Sequence, residues 1–203
     1  MFAQPSLTEP RFSTHAELVA ALENLSGDPL EQFGGNIVIY RGNPQAKLMI
    51  IGEGPGAEED RLKKPFVGRS GQLLDKILQA VNFNPETDVY ISNVVRRRPP
   101  NNRDPLPVEI DFFKPYLFEE IRLIAPKIIL LIGRYAMLTV LGEKRGITKV
   151  RGQWYQRGDY WIMPMFHPAY LLRNPQKTPG SPKALTWEDI KNVRAKYDEL
   201  MGN

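Results

Sequence analysis

A chain of 203 residues that is 42% hydrophobic and 10% aromatic, with a net charge of +4 and a pI near 9.2, has the composition of one globular domain. It has no cysteine and only two histidines, His15 and His167, which removes disulfides, thiolate metal sites, cysteine-held iron–sulfur clusters and cysteine nucleophiles, and leaves an imidazole metal site a poor prospect. No apolar run reaches the roughly 18 residues of a membrane span, the opening MFAQPSLTEPRF is not expected to be a secretion signal, and the mild basicity permits a polyanionic partner without demanding one.

The first predicted element is a helix over THAELVAALENL, with Thr14 as its N-cap. GNPQAK reads as a turn and LMIIG as a short buried strand ended by glycine. GEGPGAEEDRLKKPFVGRSG is then a long loop of the kind that carries function, and SGQLLDKILQAV an amphipathic helix capped by Ser70. DVYISNVV is a second strand that runs abruptly into RRRPPNNR. PVEIDFFKPYLFEEIRLI reads as a long helix, kinked or broken at Pro115. KIILLIG is a third buried strand and RYAMLTVLG a short helix closed by Gly142. ITKVRGQWYQRGDYWIMPMF reads as a hairpin with RGD at its turn, running into a fourth core strand. HPAYLLRNP is read as a loop and ALTWEDIKNVRAKYDEL as a terminal helix.

Strands alternating with helices imply a mostly parallel sheet covered on both faces, with ligands bound beyond the C-terminal ends of its strands. GEGPG, SNVVRRRPPNNR and HPAYLLRN all follow strands, so they are expected to converge on one crevice.

Each loop admits a plain and a functional reading. Gly52, Gly54 and Gly56 have the spacing G-x-G-x-G, with no Lys-Ser/Thr pair after them. Glu53, Glu58, Glu59 and Asp60 would also repel phosphate, so a dinucleotide or nucleoside-triphosphate site is rejected. What remains is either a tight turn with solvated acids, or backbone that approaches a planar ligand while Glu53 or Glu59 handles water or a proton. Phe66 is either a packing plug or a stacking platform. His167, fixed by Pro168 at a strand terminus, is either structural or placed to polarise an oxygen. Leu171 and Leu172, beside Arg173, are either core or a wedge that enters a base stack. Arg96, Arg97, Arg98 and Arg103 form a basic cluster free of acids, and Arg61, Lys63 and Lys64 a second.

Together the segments GEGPGAEED…PFVGRSGQLL, SNVVRRRPPNNRDPLP, LIAPKIILLIG, ITKVRGQWY, MFHPAYLLRNP and PGSPKALTWEDI resemble the family-four uracil-DNA glycosylases, in order and with that family's spacing, from about Gly42 to about Val193. The resemblance implies a three-layer αβα sandwich around a four-stranded, mostly parallel sheet. It implies a DNA-repair enzyme that flips uracil out of DNA and hydrolyses its N-glycosidic bond, leaving an abasic site. Carried over by position, Phe66 stacks on the base, Asn93 reads its amide edge and Gly54 lines the pocket. His167 donates to a uracil carbonyl, while Glu53, Glu59 and Asn102 match positions implicated in activity. Arg96, Arg98 and Arg103 meet phosphate, and Leu171, Leu172 and Arg173 form the DNA-facing tip.

Two departures accompany the resemblance. The family holds a four-iron four-sulfur cluster on four cysteines; here Arg97 and Phe113 stand at two of those positions, and the other two are lost around residues 27–35. No cofactor is therefore expected, and Phe33 and Phe113 are expected to fill the vacated volume. No histidine-bearing loop follows the second motif, so covalent capture is not expected. The chain is read as one domain, residues 1–203, whose residues 1–41 hold the N-terminal helix and the altered cluster region. It is expected to be a cytoplasmic, nucleoid-associated monomer acting on uracil-containing DNA, with no membrane partner. The alternative is a catalytically silent module that binds uracil-containing or single-stranded DNA.

Overall fold

The computed structural model describes residues 10–202. Their elements run α1 (His15–Glu23), β1 (Arg41–Gly42), β2 (Leu48–Gly52), α2 (Ala57–Leu62), α3 (Arg69–Gln79), β3 (Val89–Asn93), α4 (Pro107–Ile124), β4 (Ile128–Ile132), α5 (Arg134–Leu141), α6 (Ile147–Val150), β5 (Tyr155–Arg157), β6 (Tyr160–Met165), α7 (Pro168–Arg173) and α8 (Pro182–Met201). They form one sheet of six strands in the order β1-β3-β2-β4-β6-β5. The four inner strands are parallel, as expected; β1 and β5 add an antiparallel edge at each side, which corrects the expected count of four.

Every residue of β2, β3 and β4 is buried between two helical layers, which matches the apolar runs LMIIG and IILLI; VYISN is apolar only as far as Ile91 and ends in the buried polar Ser92 and Asn93. Successive side chains still alternate. Met49, Ile51, Tyr90, Ile129 and Leu131 pack with Phe113, Leu117 and Ile121 of α4 and Met137 of α5. Leu48, Ile50, Val89, Ile91 and Leu130 pack with Leu74 and Leu78 of α3 and Ile190 and Val193 of α8. These two clusters, one on each face of the sheet, make the layered sandwich. α1 lies outside α4, with Leu18 and Leu22 buried beside Leu123 and Tyr116. None of the described helices is long and apolar enough to cross a membrane.

Several local expectations hold and others do not. Thr14 caps α1 by accepting the Glu17 amide, and Gly142 ends α5 with φ +67°. The α3 cap is Gly68 instead of Ser70, because the Gly68 amide is taken by the Glu59 carboxylate. α4 continues through Pro115 without a break. Proline withdraws its own N–H and crowds the carbonyl four residues earlier; that carbonyl belongs to Asp111, an exposed residue on the water side of the helix. HPAYLLR is a helix and not a loop: Pro168 occupies its first turn and His167 caps it.

Register then sets the site. Gly52 pairs with Asn93, and Ile132 with Met165, so the strands end level and their outgoing loops leave from one edge.

Candidate active site

A cleft of about 520 Å³ opens at that edge, lined by the loops after β2 and β3 and by the start of α7. Glu53, Glu59, Phe66, Asn102, His167 and Arg173 face it, so the three loops converge as expected.

The Phe66 loop is held in a strained shape. Phe66 has φ +53°, a left-handed conformation uncommon for a residue with a side chain. Buried Arg41 supports it, donating to the carbonyls of Pro65 (2.9 Å) and Phe66 (3.2 Å) while pairing with Asp75 and Glu86. Gly71 is needed beneath, because a Cβ there would overlap the Phe66 carbonyl. Glu59 is the second clamp. One oxygen accepts the amides of Val67 (2.9 Å) and Gly68 (2.7 Å), and the other that of Gly56 (3.1 Å), tying the GEGPG loop to the Phe66 loop. Both Glu59 oxygens are thus committed to backbone amides.

Asn93 ends β3 and is buried, and its side-chain oxygen has no hydrogen-bond partner among the described residues. A Cβ on Gly52 would lie 2.5 Å from both that oxygen and the Phe66 ring, so glycine is required for the three groups to meet. Leaving a buried amide oxygen unpaired costs about 1–3 kcal/mol, a feature expected of a group reserved for a ligand.

His167 caps α7 through Nδ1, which accepts the Ala169 amide at 3.1 Å. The ring proton is therefore on Nε2. Burial, and then the Arg173 guanidinium, lower its pKa to about 4 against the opposing pull of Glu59. The imidazole is a neutral donor at neutral pH, 5.8 Å from the Phe66 ring between centroids. Glu53 moves the other way: burial, and then the charge of Asp104, raise its pKa to about 7.

The basic stretch after β3 separates into four different residues. Arg96 is completely buried and pairs with Glu120 at 2.6 Å, the Ile39 carbonyl at 2.7 Å and Ser92. It cannot meet phosphate, which corrects that expectation. Tyr90 and Ser92 donate to the same Glu120 carboxylate, and His15 donates from Nε2 to the Tyr90 oxygen at 2.8 Å. This network fixes the end of β3 below Asn93. It has a sequence signal: Glu120 falls on the apolar stripe of Phe113, Leu117, Ile121 and Ile124, where an acid needs a buried partner. Arg98 holds Asn102 at 2.7 Å on the cleft rim, where Asn101 and Asn102 both have positive φ. Arg103 is paired with both oxygens of Glu109.

Arg97 turns towards the N-terminal segment. It pairs with Asp28 at 2.7 Å, lies 3.7 Å from Glu31, and donates to the carbonyls of Gly35 (2.7 Å) and Leu25 (3.3 Å). These contacts fall in residues 25–35, the region that the resemblance read from the sequence assigned to two missing cysteines. A guanidinium bonded to carboxylate and carbonyl oxygens, in a chain without a single thiol, does not fit an iron–sulfur cluster. Nor does any group of three or more His, Asp or Glu side chains suited to a metal occur among the described residues. Phe113 is buried in the core, but Phe33 is 52% exposed, so Phe33 fills no vacated volume.

At α7 the wedge expectation divides. Leu171 is only 1% exposed and packs inward, so it cannot enter a base stack; Leu172 is exposed beside Arg173 at the rim. Asp104 and Tyr135 were missed. The Tyr135 hydroxyl donates to Asp104, which lines the cleft, at 2.8 Å. The available signal was LLIGRY, a fourth strand-to-helix turn at the same edge.

The cleft at the strand ends thus brings together a ring that can stack on a planar ligand, a neutral imidazole donor and carboxylates, with the unpaired Asn93 oxygen buried beside the ring. The chain matches the uracil DNA glycosylase superfamily over residues 39–191, and it belongs to that superfamily. It is 41% identical over 171 residues to the type-4 uracil-DNA glycosylase of Thermotoga maritima, covering 82% of this chain and 86% of that protein. It is 40% identical to the type-4 enzyme of Sulfurisphaera tokodaii, covering 81% and 76%, and 41% identical to that of Saccharolobus solfataricus, covering 72% and 71%.

Proposed function

We propose that this chain is a monofunctional uracil-DNA glycosylase that hydrolyses the bond between uracil N1 and deoxyribose C1′ in DNA after base flipping. Uracil departs as an anion, so charge develops on its ring oxygens as the sugar becomes cationic. The observation that carries the reading is the capped, neutral His167. Its Nε2–H can donate to a uracil oxygen without first gaining a proton, and the Nδ1 cap on the Ala169 amide holds the ring. Asn93 offers an unclaimed amide oxygen for the N3–H of uracil, next to the Phe66 ring. Glu53 is the carboxylate for the water, and Glu59 a positioning residue for the pocket loops. No lysine lines the cleft among the described residues, which favours hydrolysis over a covalent amine intermediate. Arg98 and Arg173, with Leu172 as the apolar tip, suit the DNA rim. The same reading has the chain working as a cytoplasmic monomer on nucleoid DNA, without an iron–sulfur cluster.

The test is excision from a uracil-containing oligonucleotide, read as alkali-labile abasic sites. Asn93→Ala should lower kcat/KM by an amount corresponding to about 1–3 kcal/mol and leave binding to undamaged DNA intact. Wild-type protein that binds uracil-DNA without producing abasic sites would make it a silent binding module. Expression in iron-depleted medium should change neither yield nor colour; a brown, iron-containing product would overturn the cluster-free reading.

A further inference from the structure

The proposed mechanism leaves one carboxylate unused. Asp104 lines the same cleft as Glu53 but comes from a different element, the stretch after the Pro100–Asn102 turn. An aspartate on an exposed loop ordinarily swings freely. This one is tied down: its Oδ2 accepts the Tyr135 hydroxyl at 2.8 Å, and Tyr135 sits in the first turn of α5, directly beyond the end of β4. The carboxylate is thereby referenced to the sheet. Burial, and then the bond to Asp104, push the Tyr135 pKa up to about 12, so the hydroxyl remains a donor throughout the working pH range.

The neighbouring cation does not cancel the charge. Both terminal nitrogens of Arg103 are engaged by Glu109, and the contact to Asp104 is with its backbone oxygen, at 2.9 Å. The other charged or titratable groups facing Glu53 are Glu59, whose oxygens are turned to backbone amides, and His167 and Arg173 across the cleft. The Arg134 guanidinium lies 5.9 Å from the centre of the Tyr135 ring. Asp104 is therefore the fixed, uncompensated negative charge on the Glu53 side of the site.

Resting on the glycosylase reading, we propose that Asp104 and Tyr135 are a positioning pair for excision: Tyr135 holds Asp104, and Asp104 acts on Glu53 through the charge that it presents across the cleft. In the step concerned, the water oxygen bonds to C1′ and the C1′–N1 electron pair leaves on uracil. One water proton passes to the Glu53 carboxylate. A nearby anion makes Glu53 a stronger base for that proton and adds negative potential at the sugar cation.

The experiment is the pH profile of excision in the wild type, Asp104→Asn, Tyr135→Phe and Glu53→Gln. Asp104→Asn keeps an oxygen for the Tyr135 hydroxyl, so it removes charge with little change of shape. Without that charge Glu53 ionises more readily, and the limb of kcat/KM that depends on it should move to lower pH by about half a unit or more. Tyr135→Phe should move it in the same direction by less, and in a Glu53→Gln background neither change should move any limb. A role in folding alone would lower thermal stability and leave the limb in place. An active wild type whose limb is unmoved by Asp104→Asn overturns the proposal; a wild type that excises nothing overturns the glycosylase reading instead.

Discussion

Replacing Arg96 by alanine separates two accounts of the basic stretch. Arg96 and Glu120 have no solvent-exposed side-chain surface, and their 2.6 Å pair is, among the described residues, the only cationic contact to a carboxylate that also accepts from Tyr90 and Ser92. The pair is imperfect, since Arg96 Nε has no partner among the described residues, so its net contribution over an apolar pair is small. Breaking it is another matter. Arg96→Ala leaves the Glu120 charge buried without a counter-ion, which costs about 3–5 kcal/mol. For a domain of this size each kcal/mol lowers Tm by roughly 2–4 °C, so a fall of roughly 6–20 °C is expected. Urea and thermal unfolding measure this directly, and DNA affinity against salt concentration measures the competing account. A Tm unchanged within a degree or two, with a slope of log K against log [salt] reduced by about 0.9, would mean that the guanidinium meets phosphate, and would refute the buried-pair reasoning.

Two further outcomes follow from charges elsewhere. His167 is held at a pKa of about 4 against 6.5 unfolded, so the unfolded chain binds the extra proton first; its contribution to stability is complete above about 6.5 and is lost as pH falls towards 4. Glu53, raised from 4.5 to about 7, contributes in the opposite sense, fully below about 4.5 and less as pH rises through 7; unfolding free energies at pH 5 and 8 should therefore tilt one way in His167→Asn and the other way in Glu53→Gln. Arg97→Ala strips Asp28, itself buried, of its counter-ion and should destabilise the protein by about 3 kcal/mol; limited proteolysis should then cut within residues 25–35, and resistance there would show that the segment is held by other contacts.

What the sequence made legible follows from how much of each element's shape is local. β2 and β4 were readable because burial on both faces forces continuous apolar runs, and β3 from its apolar start; Asn93 and His167 stood out as polar residues just beyond apolar stretches. β1 has only two residues, and its pairing with Tyr90 and Ile91 leaves no periodic trace. α7 is six residues long, too short for a helical period, and its cap is an uncommon one. The arginines misled because they were read as one surface feature, whereas the chain bends after Asn93 and sends Arg96 inward, Arg97 to the N-terminal segment and Arg98 to the rim. The partner that decides each direction lies 24, 69 or 4 residues away, and only the nearest belongs to the same motif. Asp104 and Tyr135 escaped notice because their contact is not local: β2 lies between β3 and β4 in the sheet, and the stretch after β3 reaches across its end to the start of α5.

The clasp between Arg97 and Asp28 alters what the folding equilibrium contains. Where a bound metal group cross-links two segments, the free energy of closure includes that group's concentration, and occupancy decides how many molecules are complete. In the Arg97–Asp28 contact both halves are side chains of one polypeptide, so its closure is unimolecular and contains no concentration of a second species. What the clasp answers to is ionic strength, and only weakly, because Asp28 is shielded from the counter-ions that would screen it.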